Sequence, residues 1–304
     1  MKPEPRNLAA SIHQRVLNEA RKSGRQFNDL LQYYALERFL YRLSVSPHAE
    51  RFVLKGALLL RAWRAPAARP TLDIDLLGRM PNEVDAVANV MREVCRQTVV
   101  PDGLVFDPDS LHGAPIAEDA VYEGVRVNFQ GHLGNARLAM QIDVGFGDVV
   151  TPAPGFVDLP ATLDLPGPRL RGYPRETTIA EKIQILAKLG LLTSRMKDVY
   201  DLWLLSSNFD FEGALLTDAV RQTFAHRQTI PSPTAVAFTP AFALDPAKQN
   251  QWAAFARKLP NSPTLADAHA QLVRFAVPIL RSLAGEMPIP GRWTAPGPWK
   301  DSAP

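Results

Sequence analysis

The 304-residue chain is 46% hydrophobic and 21% charged, ordinary values for a globular protein that exclude global disorder. A formal net charge of +3 and a pI near 9.0 suit a nucleotide or nucleic-acid partner without requiring one, because an ordinary solvated surface gives the same balance. The single cysteine, Cys95, excludes an intramolecular disulfide and a cysteine-rich zinc site.

Residues 7 to 45 read as two helices. Leu8, Ile12 and Val16 recur at helical spacing in the first, and Gly24 ends it. The second, Phe27 to Leu43, carries two apolar stripes, Phe27, Leu30, Leu31 and Tyr34 on one side and Leu36, Phe39, Leu40 and Leu43 on the other. Such a helix is either buried on two faces or broken near its middle. The period then changes. Phe52-Val53-Leu54 reads as a strand, Lys55-Gly56 as a tight turn, Ala57 to Trp63 as a helix start, and Thr71 to Leu77 as a second strand. A helix is expected over Asn82 to Gln97, with Cys95 on it. Val121 to Phe129 and Ala136 to Phe146 follow as an antiparallel pair separated by Gly131 and Gly134. This mixed α/β (α+β) unit, with a small sheet, is expected to occupy 1–150.

Six prolines crowd 151–175, which reads as a connector. Helices are then expected over Thr178 to Leu189, Ser194 to Ser206, Glu212 to Ala225, Asp245 to Arg257 and Thr264 to Leu283, the last holding Pro278. They make 176–287 a helical domain, and the Pro- and Gly-rich 288–304 a poorly ordered tail. No apolar run approaches spanning length and Met1 to Arg6 carry no apolar leader, so no membrane partner and a cytoplasmic location are expected.

Asp73-Ile74-Asp75 is the first chemical element. On a strand both aspartates share one face, with Leu72, Ile74 and Leu76 on the other. Adjacent carboxylates repel unless a cation neutralises them, and hard oxygens suit Mg²⁺ or Mn²⁺. Alone, an Asp-x-Asp is common and also fits a solvated strand edge. Lys55-Gly56-Ala57 adds a strand-to-helix turn whose backbone N–H groups suit a phosphate, with Lys55 as a point charge. In Gln141-Ile142-Asp143-Val144-Gly145, Asp143 lies opposite the apolar face and would join the pair as a metal ligand if its strand were adjacent. Thr178 to Glu181 fits a capping box opening a helix on which Ile179, Ile183 and Leu186 face the core and Lys182 lies at the border. Asp198 and Asp201 share one face of the next helix. From spacing alone, that pattern reads as a surface helix with a local Lys197–Asp pair. No P-loop, GxSxG elbow, kinase loop or Rossmann GxGxxG occurs, and the six histidines never pair at HxxxH spacing.

Four stretches in this order resemble the AbiEii/AbiGii toxin family of nucleotidyltransferases. They are Phe52 to Ala57, Thr71 to Leu76, Glu181-Lys182, and Arg195 to Leu202, with a similar lead-in over Leu36 to Ser44. The resemblance runs from about Ile12 to at least Leu205. It implies a nucleotidyltransferase-like N-terminal domain, a helical C-terminal domain that contributes Lys182 and Asp198, use of an NTP and Mg²⁺, and an AbiEi-type antitoxin partner. Lys55, Gly56 and the Ala57 N–H would hold the triphosphate, and Asp73 and Asp75 the metal. Lys182 would contact phosphate and Asp198 act as a catalytic, base-like acid, with Lys197 and Asp201 in support. Members that add nucleotides to the 3′ end of tRNA make RNA the expected acceptor. A protein side chain, or a binding module without turnover, are the other readings. The family often has Gly-Gly or Gly-Ser where this chain has Gly56-Ala57, which removes a hydroxyl donor but leaves the backbone N–H.

Overall fold

A computed structural model describes residues 7–66, 68–116, 124–257, 259 and 261–301. The chain divides into two compact units, one of Met1–Arg64, Ala68–Gly147 and Gly155–Gly172, the other of Ala65–Ala67, Asp148–Pro154 and Tyr173–Pro304.

In the first unit, α1 (Leu8–Ser23) begins where the Asn7 side chain accepts the Ala10 N–H at 3.0 Å and ends at Gly24, whose φ of 66° is left-handed. Helix α2 (Phe27–Ser44) is unbroken, and Leu30, Leu31 and Tyr34 of one stripe are buried along with Leu36, Phe39, Leu40 and Leu43 of the other. It also buries charge. Asp102 accepts from Arg38 Nε at 3.2 Å and from Arg42 Nη1 and Nη2 at 2.6 and 3.0 Å, while Glu37 accepts the Thr162 N–H and hydroxyl, both at 2.6 Å. Every member of this network has a partner, as burial demands.

The sheet is assembled from β1 (Phe52–Lys55), β2 (Asp73–Gly78), β3 (Leu104–Ile116), β4 (Gly124–Leu133), β5 (Ala136–Phe146), β6 (Gly155–Asp158) and β7 (Arg169–Gly172). Between them lie α3 (Leu58–Ala62), after β1, and α4 (Val84–Arg96), after β2. The order is β3-β4-β5-β2-β1-β7-β6, with β2–β5 and β1–β7 parallel and the other pairs antiparallel. It is a mixed seven-stranded sheet, larger than the small one expected. Two pieces were hidden. Strand β3 is interrupted by a bulge between Asp107 and His112 and contains Pro108 and Pro115, so its alternation is broken. Within the proline-rich connector, β6 fits between Pro154 and Pro160 and β7 between Pro168 and Pro174, which puts the prolines at the strand ends and makes this stretch part of the sheet. Gly131 lies inside β4, and the reversal to β5 is the two-residue turn Gly134-Asn135, with φ of 58° at Gly134. Residues 121–123 of the expected strand lie outside the described residues.

The second unit contains α5 (Arg175–Leu189), α6 (Met196–Asn208), β8 (Phe211–Glu212), α7 (Gly213–His226), α8 (Pro240–Leu244), α9 (Pro246–Ala256), α10 (Leu265–Leu283) and β9 (Arg292–Trp293). Helix α5 starts three residues before the expected capping box. Thr178 is therefore inside the helix, buried, and its hydroxyl caps nothing. The expected poorly ordered tail contributes β9, which pairs with β8. Trp293 is fully buried there, donating Nε1–H to the Ser206 carbonyl at 2.7 Å. Among the described residues no helix is long and apolar enough to cross a membrane.

Candidate active site

Strand β2 is hydrophobic on one face and acidic on the other. Ile74 and Leu76 are completely buried, and this alternation turns Asp73 and Asp75 together to the opposite side. Leu72, expected on the strand face of Ile74 and Leu76, precedes the strand and is 66% exposed. Because β5 pairs with β2 in parallel register, Asp75 faces Asp143 and Asp73 faces Gln141. Asp73, Asp75 and Asp143 each offer one carboxylate oxygen, all within 4.8 Å of one another. Among the described residues this is the group of three or more such side chains that could share an ion. Three anions this close disfavour one another's charge unless cations intervene.

Antiparallel pairing of β1 with β2 sets Lys55 opposite Asp75. The chain then turns at Gly56, with φ of 74°, into α3. A Cβ built on Gly56 would lie 1.9 Å from Asp75 Oδ2 and 2.8 Å from its Cβ, so the Asp75 side chain occupies the space that any other residue at 56 would need. The turn expected to hold a phosphate and the expected metal ligand thus pack on each other. Ala57 is buried directly after the turn. Thr71 donates its hydroxyl to Asp73 Oδ1.

Sequence reasoning missed Arg126. It faces Asp143 across the β4–β5 pair and grips it with two bonds, Nε to Oδ1 and Nη2 to Oδ2, both at 2.8 Å. Gln141 Nε2 donates to both oxygens of Asp143 at 3.3 and 3.2 Å. The signal was available. Val125, Val127 and Phe129 are the core face of β4, which leaves Arg126 on the acidic side once the register is known.

In the second unit Lys182 on α5 sits between two buried aspartates of α6, with Nζ 2.5 Å from Asp198 and 2.9 Å from Asp201. Arg195 Nε adds a 2.6 Å bond to Asp198. The reading of α6 as a surface helix with a Lys197 pair is corrected, since Lys197 is exposed and the local partner of Asp198 is Arg195. Burial works to raise the Asp198 carboxyl, but Lys182 and Arg195 outweigh it and hold the group far below the usual carboxylate range. Both Asp198 oxygens are engaged, Oδ1 by Lys182 and Oδ2 by Arg195, an arrangement that fixes two cations. Two further cations brace this unit. Buried Lys248 donates to the Thr193 carbonyl just ahead of α6, and Arg227 binds Asp148 and Glu181, each at 2.9 Å. Glu181, of the Glu181-Lys182 motif, is therefore a structural anchor.

Comparison with known proteins agrees with the geometry. The family described as nucleotidyl transferase AbiEii toxin, type IV toxin–antitoxin system, matches residues 38–274. The chain belongs to the AbiEii family. It is accordingly a nucleotidyltransferase of a toxin–antitoxin family, for which an NTP substrate and an antitoxin partner follow. Among solved structures it is similar to a candidate nucleotidyltransferase from H. pylori, at 14% identity and a TM-score of 0.48, covering 86% of this chain and 99% of that one. JHP933 from Helicobacter pylori is similar at 13% identity and a TM-score of 0.46, covering 86% and 95%. Among curated proteins none matches. The AbiEii match spans both units, from α2 to α10, and includes each of the motifs at Lys55, Asp73, Lys182 and Asp198.

Proposed function

We propose that the chain transfers a nucleoside monophosphate from an NTP to the 3′ hydroxyl of RNA, tRNA foremost, with Mg²⁺ or Mn²⁺ held by Asp73, Asp75 and Asp143. The observation that supports this reading is the convergence of three carboxylate oxygens within 4.8 Å beside the Lys55-Gly56 turn. Hard, anionic oxygens on adjacent strands fit a divalent cation, and Arg126 already supplies part of the positive charge that the cluster demands. When bound, the cation supplies Lewis-acid stabilisation of charge on the reacting phosphoryl oxygens.

In the transfer the 3′ oxygen bonds to the α-phosphorus, the bond to the β-phosphate oxygen breaks, and pyrophosphate leaves while the hydroxyl proton passes to solvent or carboxylate. Lys55 and the N–H groups of Gly56 and Ala57 hold the phosphates. Lys182 contacts phosphate, and Asp198 and Asp201 fix its ammonium. Arg126 and Gln141 keep Asp143 oriented toward Asp75. The antitoxin partner is of the AbiEi type. These substrates place the reaction in the cytoplasm.

Incubation with labelled NTPs, Mg²⁺ and total RNA checks the reading. Label is expected in RNA with the wild-type chain and absent with Asp73→Ala. Label that survives RNase, or transfer undiminished in Asp73→Ala, would sink it, the first in favour of a protein acceptor.

A further inference from the structure

Arg25, Tyr33 and Arg61 form a cluster in the first unit that the reaction above does not use. Tyr33 on α2 is buried, and its hydroxyl is committed to the Pro160 carbonyl at 3.1 Å. Arg61, in the last turn of α3, places its guanidinium carbon 4.0 Å from the centre of the Tyr33 ring. That of Arg25, in the turn between α1 and α2, lies at 5.8 Å. Both arginines are half-buried. Among the described residues neither has a carboxylate within salt-bridge reach, although other half-buried arginines such as Arg126, Arg171 and Arg227 each have one. Burial, and then the charge of Arg25, lower Arg61 to about 10. Two like charges are thus gathered at one aromatic ring, where the ring quadrupole and the Asp29 carboxylate, beyond salt-bridge distance, offset them only in part. Arg21 and Lys22, in the last turn of α1, lead directly to Arg25 and are exposed.

A guanidinium fork with no carboxylate bonded to it matches the geometry of a phosphate. The Tyr33 hydroxyl donates its proton to the Pro160 carbonyl, so the two guanidiniums are the donors the cluster offers a ligand. Its one neighbouring carboxylate, Asp29, makes no multi-carboxylate cradle for a divalent cation, which separates it chemically from the site of a metal-bound triphosphate. We infer that Arg25 and Arg61, braced on Tyr33, bind a backbone phosphate of the RNA acceptor. The inference rests on RNA being the acceptor.

The test is the affinity of fluorescently labelled tRNA across a salt series, by anisotropy, for the wild-type chain, Arg25→Gln, Arg61→Gln and the double variant. Loss of two phosphate contacts is expected to weaken binding by roughly tenfold or more and to lower the salt slope by about 1.4 to 1.8, with KM for the NTP unchanged. If Arg61→Gln disturbs folding, as thermal melting would reveal, Arg25→Gln alone carries the test with a slope change of about 0.7 to 0.9. A folded double variant with wild-type affinity and slope overturns the inference while label transfer to RNA stands. A wild-type chain that neither binds nor labels RNA overturns both.

Discussion

Gly56 is constrained twice, by a left-handed φ and by the Asp75 side chain in the space of its missing Cβ. Gly56→Ala is expected to cost about 1–2 kcal/mol of backbone strain and to push Asp75 from its place. A displacement near 1 Å is enough to cut turnover on the order of 100-fold, so activity should collapse while circular dichroism stays that of the wild type. Asp198 gives a pH prediction. Its folded carboxyl is depressed below the unfolded value, so its stabilisation is complete above the unfolded range and is lost as pH falls through the folded value. The stability gap between the wild-type chain and Asp198→Asn, from urea unfolding, should therefore be flat from neutrality down to about pH 5 and shrink only below about pH 4. At this scale the sequence is informative about type and face. Alternation alone turns Asp73, Asp75 and Asp143 the same way. What it cannot supply is partnership across the sheet, because the Arg126–Asp143 grip is separated by a reversal and depends on register.

Elements with an uninterrupted period are legible, and those with a broken one are not. Helices α2 and α4 and strands β2 and β5 announce themselves by the spacing of apolar residues, and β1 by the unbroken apolar run Phe52-Val53-Leu54. Strand β3 is concealed by its bulge and prolines, and β6 and β7 are four-residue strands too short to show a period between prolines. The start of α5 is misread because a capping-box pattern lies within the helix, where tertiary burial of Thr178 overrides the local signal. Asp102 ties α2 to the start of β3 by holding Arg38 and Arg42, and also accepts the Leu104 N–H at 3.1 Å. Asp102→Ala would strand two buried guanidiniums. The expected loss is about 3–5 kcal/mol, read from the denaturation midpoint.

For the whole molecule the surprise lies at the C-terminal end. A segment rich in Pro and Gly reads as tail, yet it supplies β9, and Trp293 packs its ring 4.8 Å from that of Phe275 and 5.3 Å from that of Trp299. Composition reports the lack of a period in such a segment but not the two or three aromatic anchors that fix it. Trp293→Ala is expected to destabilise the second unit by about 3–5 kcal/mol, visible as a lowered melting transition. The sheet of the first unit has its own consequence at this scale. One margin is β3, bulged and carrying Pro108 and Pro115. The other is β6, four residues long and closed by Pro154 and Pro160. A proline offers no amide hydrogen to an incoming strand, and a bulge twists the margin away from it. Both borders of the folded sheet thus disfavour a further strand, which guards one molecule against joining another edge to edge.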